Sequence, residues 1–120
     1  MRFDQCACTG QSLARLLHPI LLALLARQPG HGYKLATRLA ALDMFGDDPP
    51  DTSGVYKALK GMEKEGLLSS SWESGDAGPA RCSYALTERG LACLRQWITT
   101  LQDHRARLDE VLALLRDACP

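Results

Sequence analysis

The sequence lacks a long apolar run and an excess of charge of either sign. Its longest apolar run extends from Ile20 to Ala26, whereas a membrane-spanning helix needs about 20 such residues. Fourteen basic residues balance fourteen acidic ones, so the formal net charge is zero, which argues against a polybasic tail but not against a local basic patch. The leucine-rich segment 13–26 is interrupted by His18 and Pro19, so we expect no secretory leader, no membrane partner and a cytoplasmic protein.

The sequence also lacks the motifs by which catalytic sites are recognised. It contains no Ser/His/Asp arrangement, no glycine-rich phosphate loop, no HExxH motif and no paired catalytic carboxylates. The histidines His18, His31 and His104 are far apart in the chain, and His31 is better explained as a residue at the start of a helix. We therefore predict that the protein is not an enzyme.

Cysteine is present, but not in the paired CxxC spacing of a structural zinc site. The chain has five cysteines, which in a cytoplasmic protein are expected to be thiols, metal ligands or redox groups rather than disulfides. Cys6 and Cys8 are separated by one residue, so with a third group they suit a soft metal ion. Cys6 and Cys8 are therefore candidates for a soft-metal or thiol-redox signal, and the alternative is an inert arm.

The spacing of apolar residues predicts three helices in the first half of the chain. Residues 1–10 show no periodicity and are expected to form a flexible arm. A leucine stripe then predicts a helix whose main part spans 19–27, since proline is tolerated in a first turn. A second helix is predicted over 31–42, and a third from a cap at one of residues 51–53 to about Glu65.

The second half of the chain predicts a β-hairpin and one long helix. Gly66 is a natural end for the third helix, and the segments 67–73 and 81–86 read as strands that flank a turn-rich tip. Thr87 can cap a last helix that continues almost to the C-terminus, although Gly90 slightly weakens its first turn.

This order of elements predicts a mainly α-helical fold with a small β-hairpin. It is the layout of a winged helix-turn-helix, whose third helix enters the DNA major groove, followed by a long C-terminal dimerisation helix. We divide the chain into a flexible cysteine-containing arm at 1–10, a winged-helix DNA-binding domain at 11–87 and a C-terminal dimerisation helix at 88–120.

Three groups of motifs resemble those of the PadR family of transcriptional regulators, in the same order and with similar spacing over about residues 16–95. They are Ile20–Leu25 with His31-Gly32-Tyr33, Val55–Leu59 with Glu63–Leu68, and Gly78–Arg81 with Tyr84–Gly90. The resemblance implies a dimeric winged-helix repressor that a small molecule or another signal releases from its operator. Lys57, Gly61 and Cys82 differ from the residues usual in the family, which leaves the operator sequence open.

Basic and aromatic residues at helical spacing are the predicted contacts with double-stranded DNA. Phosphate neutralisation by cations supplies much of the affinity for DNA. The predicted contacts are Tyr33, Lys34, Ser53, Tyr56, Lys57, Lys60, Lys64 and Arg81. The alternative for the lysines is a merely solvated face, and the alternative for the two tyrosines is half-buried packing.

Apolar residues at alternating steps of three and four run along the last helix. These predicted dimerisation residues are Leu91, Leu94, Ile98, Leu101, Leu108, Leu112 and Leu115, with Arg105 as the one interruption. Because a small domain cannot cover so long a stripe, we predict a two-fold homodimer that reads a pseudo-palindromic operator. The alternative is that the stripe packs only within its own chain.

Two further predictions concern regulation and an alternative function. Trp97 lies beside the dimerisation stripe and is a candidate for stacking on a small-molecule inducer, with plain packing as the alternative. Zero net charge also leaves room for a winged-helix adaptor that dimerises and binds protein rather than DNA.

Overall fold

The computed structural model describes residues 16–46, 49–73 and 81–120. Its helices and strands follow in this order: α1 (Leu17–Arg27), β1 (Gly30–His31), α2 (Gly32–Ala40), a short 3-10 helix (Asp43–Phe45), α3 (Thr52–Lys64), β2 (Leu68–Glu73), β3 (Arg81–Leu86) and α4 (Glu88–Ala118). This architecture confirms the predicted fold class, a mainly α-helical winged helix-turn-helix followed by one long helix.

The ends of α3 are determined by local hydrogen bonds that the sequence already indicates. At its start, the Asp51 carboxylate accepts a hydrogen bond from the Gly54 amide at 2.7 Å. At its end, Gly66 has a positive φ of 83°, and the Leu67 amide donates to the Met62 carbonyl at 3.0 Å. This is a Schellman motif, and glycine is favoured there because a Cβ atom strains the left-handed conformation.

The sheet contains one strand that the sequence analysis missed. The two residues of β1 pair antiparallel with β3, Gly30 opposite Tyr84 and His31 opposite Ser83, so that the sheet order is β1-β3-β2. A two-residue strand has no periodicity by which it could be recognised. The interpretation of His31 as simply a helix-start residue is therefore incomplete, because its side chain forms no cap hydrogen bond for α2.

The hydrophobic core lies where α1, α2 and α3 meet the sheet. Seven side chains are completely or almost completely buried: Leu21, Leu22, Leu35, Leu39, Val55, Leu59 and Met62. The first turns of α4 also belong to this core, because Leu94 and Trp97 pack against it. Every residue from 102 to 120 is exposed, so the distal half of α4 extends beyond the core.

Gly90 has a packing role at the start of α4 that helix propensity alone does not suggest. It is buried, and a Cβ atom built on it would overlap the Leu67 carbonyl oxygen and lie 2.7 Å from Leu86 Cδ1. The same Leu67 carbonyl accepts a hydrogen bond from the Thr87 amide at 3.1 Å. Glycine therefore permits a close approach between α4 and the start of the hairpin.

Ionisation of the buried Tyr84 is expected to lower the stability of the protein at alkaline pH. Burial, followed by a side-chain hydrogen bond with Cys82, raises the pKa of Tyr84 from 10.0 to about 12. The folded state therefore holds this proton more tightly than the unfolded state, and the associated stabilisation is present below about pH 10 and is lost toward about pH 12. We expect the free energy of unfolding to fall less steeply over that range in Tyr84→Phe than in the unmodified protein.

Urea denaturation at about pH 8 and about pH 11 measures this difference. Tyr33→Phe is the matched control, because it removes the same hydroxyl group from a side chain that is 71% exposed. An equal decrease in the free energy of unfolding between the two pH values in the Tyr84 and Tyr33 variants would contradict the prediction.

Candidate nucleic-acid interface

One face of α3 is polar and basic, and the opposite face is the core. Ser53, Lys57, Lys60 and Lys64 are all exposed. Val55, Leu59 and Met62, on the other side of the helix, are fully buried. The helix therefore turns three lysines toward solvent, as the spacing predicted, and this arrangement can neutralise phosphates.

The other four predicted contact residues all line a single groove beside this helix. The groove has a volume of about 490 Å³ and is lined by His31, Tyr33, Lys34, Tyr56, Trp72, Arg81 and Cys82. Tyr33 and Lys34 come from the first turn of α2, Tyr56 from α3 and Arg81 from the start of β3. We call this the backbone groove. It brings together residues from β1, α2, α3, β2 and β3, some of which are distant in sequence.

Tyr56 both packs and lines the groove. It is half-buried, and its ring lies so close to Gly32 that a Cβ atom at that position would overlap it. The packing and the DNA-contact interpretations of Tyr56 are thus compatible, because one side of the ring covers the start of α2 while another side borders the groove.

His31 joins the start of α2 to both strands of the hairpin. Its Nδ1 atom lies 3.2 Å from the Cys82 carbonyl oxygen on β3, and its Nε2 atom lies 3.4 Å from a Glu73 carboxylate oxygen on β2. With Nδ1 donating to the carbonyl, a protonated Nε2 would form an ion pair with Glu73. This bridging role of His31 was not predicted, because its only signal in the sequence is the histidine of the His31-Gly32-Tyr33 motif.

Trp72 also lines the groove and, like His31 and Cys82, is absent from the contacts predicted from the sequence. It lies opposite Cys82 in the β2–β3 pairing, and 72% of its surface is exposed. On the same strand, the Ser70 hydroxyl donates a hydrogen bond to the Glu63 carboxylate of α3. The hairpin is thus attached to α3 near its base, and Trp72 stands two residues farther toward the tip.

The predicted dimerisation residues lie along α4, and most of them are open to solvent. Leu91, Ile98, Leu108, Leu112 and Leu115 are between 37% and 59% exposed. Two others, Leu94 and Leu101, are half-buried. Val111 and Leu114, which the stripe did not include, are 48% and 70% exposed. The long helix therefore carries an apolar surface that its own core leaves uncovered.

Of the candidate residues for signal input, the structure describes only Trp97. Trp97 is half-buried and packs against the core. Cys6 and Cys8 lie outside the described residues. Within the part of the chain that the structure describes, no group of three His, Cys, Asp or Glu side chains could hold a metal ion. In the same part, no helix combines the length and the apolar character needed to cross a membrane.

The chain is similar to known transcriptional regulators. The family model described as "Transcriptional regulator PadR-like family" matches residues 21–96. Among curated proteins, none matches the sequence. Among solved structures, a PadR family transcriptional regulator from Eggerthella lenta has a TM-score of 0.75 and 25% identity, over 88% of this chain and 89% of its own.

Two other solved structures are informative. A proposed transcriptional regulator from Thermoplasma acidophilum has a TM-score of 0.71 and 27% identity, covering 84% of this chain and 94% of its own. PadR of Bacillus subtilis, solved in complex with operator DNA, has a TM-score of 0.63 and 23% identity, over 70% of this chain and 47% of its own. At that identity the last similarity concerns the fold alone.

Proposed function

Because this chain belongs to the PadR-like family of transcriptional regulators, we propose that it is a dimeric repressor that binds pseudo-palindromic operator DNA. Its family consists of transcriptional regulators rather than enzymes, in agreement with the expectation from the sequence. The observation that carries the proposal is the exposed basic face of α3, opposite a fully buried apolar face. In a winged helix-turn-helix this helix enters the major groove.

The division of labour among the contact residues follows from their chemistry. Lys57, Lys60 and Lys64 supply charge for phosphates, and Ser53 lies at the start of α3, where side chains of a recognition helix reach base edges. Arg81 supplies a further cation from the hairpin. The operator complex of the Bacillus subtilis protein supports duplex DNA as the partner, because the two chains share this fold.

The dimer is supported by the size of the uncovered surface on α4. The helix has 31 residues and is about 46 Å long at 1.5 Å per residue. Several of its leucines are left exposed by the part of the chain that the structure describes, and a second copy of α4 would cover them on both chains at once. Two recognition helices would then face two half-sites.

The signal that releases DNA enters, on this proposal, through Trp97 or through the N-terminal cysteines. Trp97 belongs to α4 and packs against the core, which supports a site at which a small-molecule inducer could change the position of the long helix. A soft metal or thiol oxidation at Cys6 and Cys8 is the other predicted input.

The alternative function is a winged-helix adaptor that binds protein instead of DNA. The specific observation in its favour is the formal net charge of zero, since many DNA-binding domains are basic. The adaptor and the repressor differ in their response to salt, because only the DNA-binding protein releases counterions from the duplex.

Salt-dependent binding of the full chain to duplex DNA from the region upstream of its own gene tests the proposal. We expect Lys60→Ala to weaken binding about tenfold at low salt. We also expect it to reduce the slope of log K against log salt by about 1.8, from two lost phosphate contacts in a dimer.

Arg107→Ala is the matched control for Lys60→Ala. It also removes one exposed positive charge, but from α4, outside the recognition helix and the hairpin. We expect it to leave both the affinity and the salt slope unchanged. An equal effect of the two variants, or an absence of salt-dependent DNA binding, would favour the adaptor.

A further inference from the structure

We propose that the sugar–phosphate backbone of duplex DNA lies in the backbone groove and that Trp72 is an uncharged contact to it. This inference rests on the proposed function and goes beyond it, since it adds a residue and a docking path to the basic face of α3. Three properties of the groove carry it: its charge, its aromatic walls and its position next to α3.

The charge of the groove suits a phosphate. Among the residues that the structure describes, its lining includes the cationic Lys34 and Arg81 and no acidic residue. Glu73 is nearby, but its carboxylate faces the His31 ring at 3.4 Å. A phosphate that enters the groove would therefore meet two positive side chains and, within the described part of the lining, no acidic one.

The walls of the groove suit the deoxyribose. Trp72 and Tyr33 are 72% and 71% exposed, and both line the groove. Large aromatic side chains are seldom left so open unless they meet a partner, because their burial is favourable. Flat rings pack against the apolar faces of sugars in the backbone without reading the base sequence.

The position of the groove links the recognition helix to the hairpin. Tyr56, which lines the groove, lies one turn from Ser53 and one turn from Lys60 on α3. When α3 occupies the major groove, the sugar–phosphate backbone of the DNA strand at the edge of that groove passes beside α3 toward the hairpin. The backbone groove, which Tyr56 of α3 lines together with Trp72 and Arg81 of the hairpin, lies on that path.

The proposal separates two kinds of contact that differ in their salt dependence. An uncharged tryptophan contributes affinity but releases no counterions, whereas a lysine contributes both. We therefore expect Trp72→Ala to weaken binding about five- to tenfold with an unchanged salt slope. We expect Lys34→Ala to weaken binding and to reduce the slope by about 1.8 in a two-fold dimer.

The experiment measures binding of the full chain to the upstream duplex and to a random-sequence duplex. Ser71→Ala is the matched control, since Ser71 is an exposed neighbour on β2 and its side chain points to the other face of the sheet. Trp72→Phe retains a ring and should recover part of the affinity. Thermal unfolding by circular dichroism establishes that each variant folds.

A second measurement reports on contact directly. In a Trp97→Phe background Trp72 is the single tryptophan, because the chain has two. Duplex DNA is expected to reduce quenching of its fluorescence by acrylamide, a neutral quencher that does not change the ionic strength.

The outcomes separate failure of this inference from failure of the proposed function. Salt-dependent binding that is unchanged in folded Trp72→Ala, with no protection from acrylamide, would overturn the inference and leave the DNA-binding function intact. Absence of duplex binding at every salt concentration would overturn both. Protection of Trp72 by free deoxyadenosine monophosphate but not by duplex DNA would overturn the duplex backbone as the occupant.

Discussion

Leu112→Glu is expected to convert the protein from a dimer to a monomer at micromolar concentration. In a two-fold dimer the substitution places a carboxylate on each copy of α4 inside a surface that association would otherwise cover, where an unpaired charge is strongly unfavourable. Leu112 is 42% exposed and lies in the segment of α4 beyond the core. The fold of the single chain should therefore tolerate the change.

Loss of the dimer should also weaken operator binding, by about a hundredfold or more, since each monomer then engages a single half-site. Mass measurement in dilute solution, followed by titration of the upstream duplex, checks both effects. Thr99→Glu is the matched control, because it adds the same carboxylate to an exposed position on the opposite side of α4 and should leave the dimer intact.

Two results would contradict this prediction. Unmodified protein that is monomeric at micromolar concentration would show that the apolar surface of α4 does not mediate self-association. A Leu112→Glu variant that stays dimeric would show that the two copies meet through a different surface.

Gly90→Ala is expected to lower the free energy of unfolding by about 3 kcal/mol. The added Cβ atom would overlap the Leu67 carbonyl oxygen, so either α4 or the start of the hairpin must move. Such movement also disturbs the hydrogen bonds from the Thr87 amide to Leu67 at 3.1 Å and from the Gly90 amide to Thr87 at 3.0 Å. Helix propensity alone predicts the opposite sign, because alanine is the better helix former.

Gly61→Ala is the control that separates the steric effect of the close contact at Gly90 from the effect of helix propensity. Gly61 is an exposed position within α3, and nothing lies within 4 Å of a Cβ atom built on it. The same substitution there should raise the free energy of unfolding by about 0.5 to 1 kcal/mol. Urea denaturation of both variants checks the pair, and a stabilising effect of Gly90→Ala would contradict the packing role of Gly90.

Much of the fold could be predicted because its signals are local. The cap at Asp51, the end at Gly66 and the amphipathic spacing of α3 depend on residues within one or two turns of one another. For the same reason, the spacing of Lys57 and Lys60 along the sequence was enough to predict that both lie on the exposed face of α3. The side of a helix on which a residue lies is determined by 3.6 residues per turn, whatever the helix packs against.

The remaining features depend on residues that are distant along the chain. The pairing of His31 with Ser83, the contact of Gly90 with Leu67 and the meeting of Trp72 with Tyr33 in one groove arise only after the helices have packed. No periodicity encodes such contacts, because they result from the directions in which whole elements approach each other.

The amino-acid sequence by itself determined the order of the four helices and the two hairpin strands, the family and the basic face of α3. Only the tertiary structure decided that Tyr33, Lys34, Tyr56, Trp72 and Arg81 share a groove, and that a glycine is required where α4 begins. Helix and strand signals come from neighbours in the chain, whereas a groove and a close approach are properties of surfaces that come together on folding.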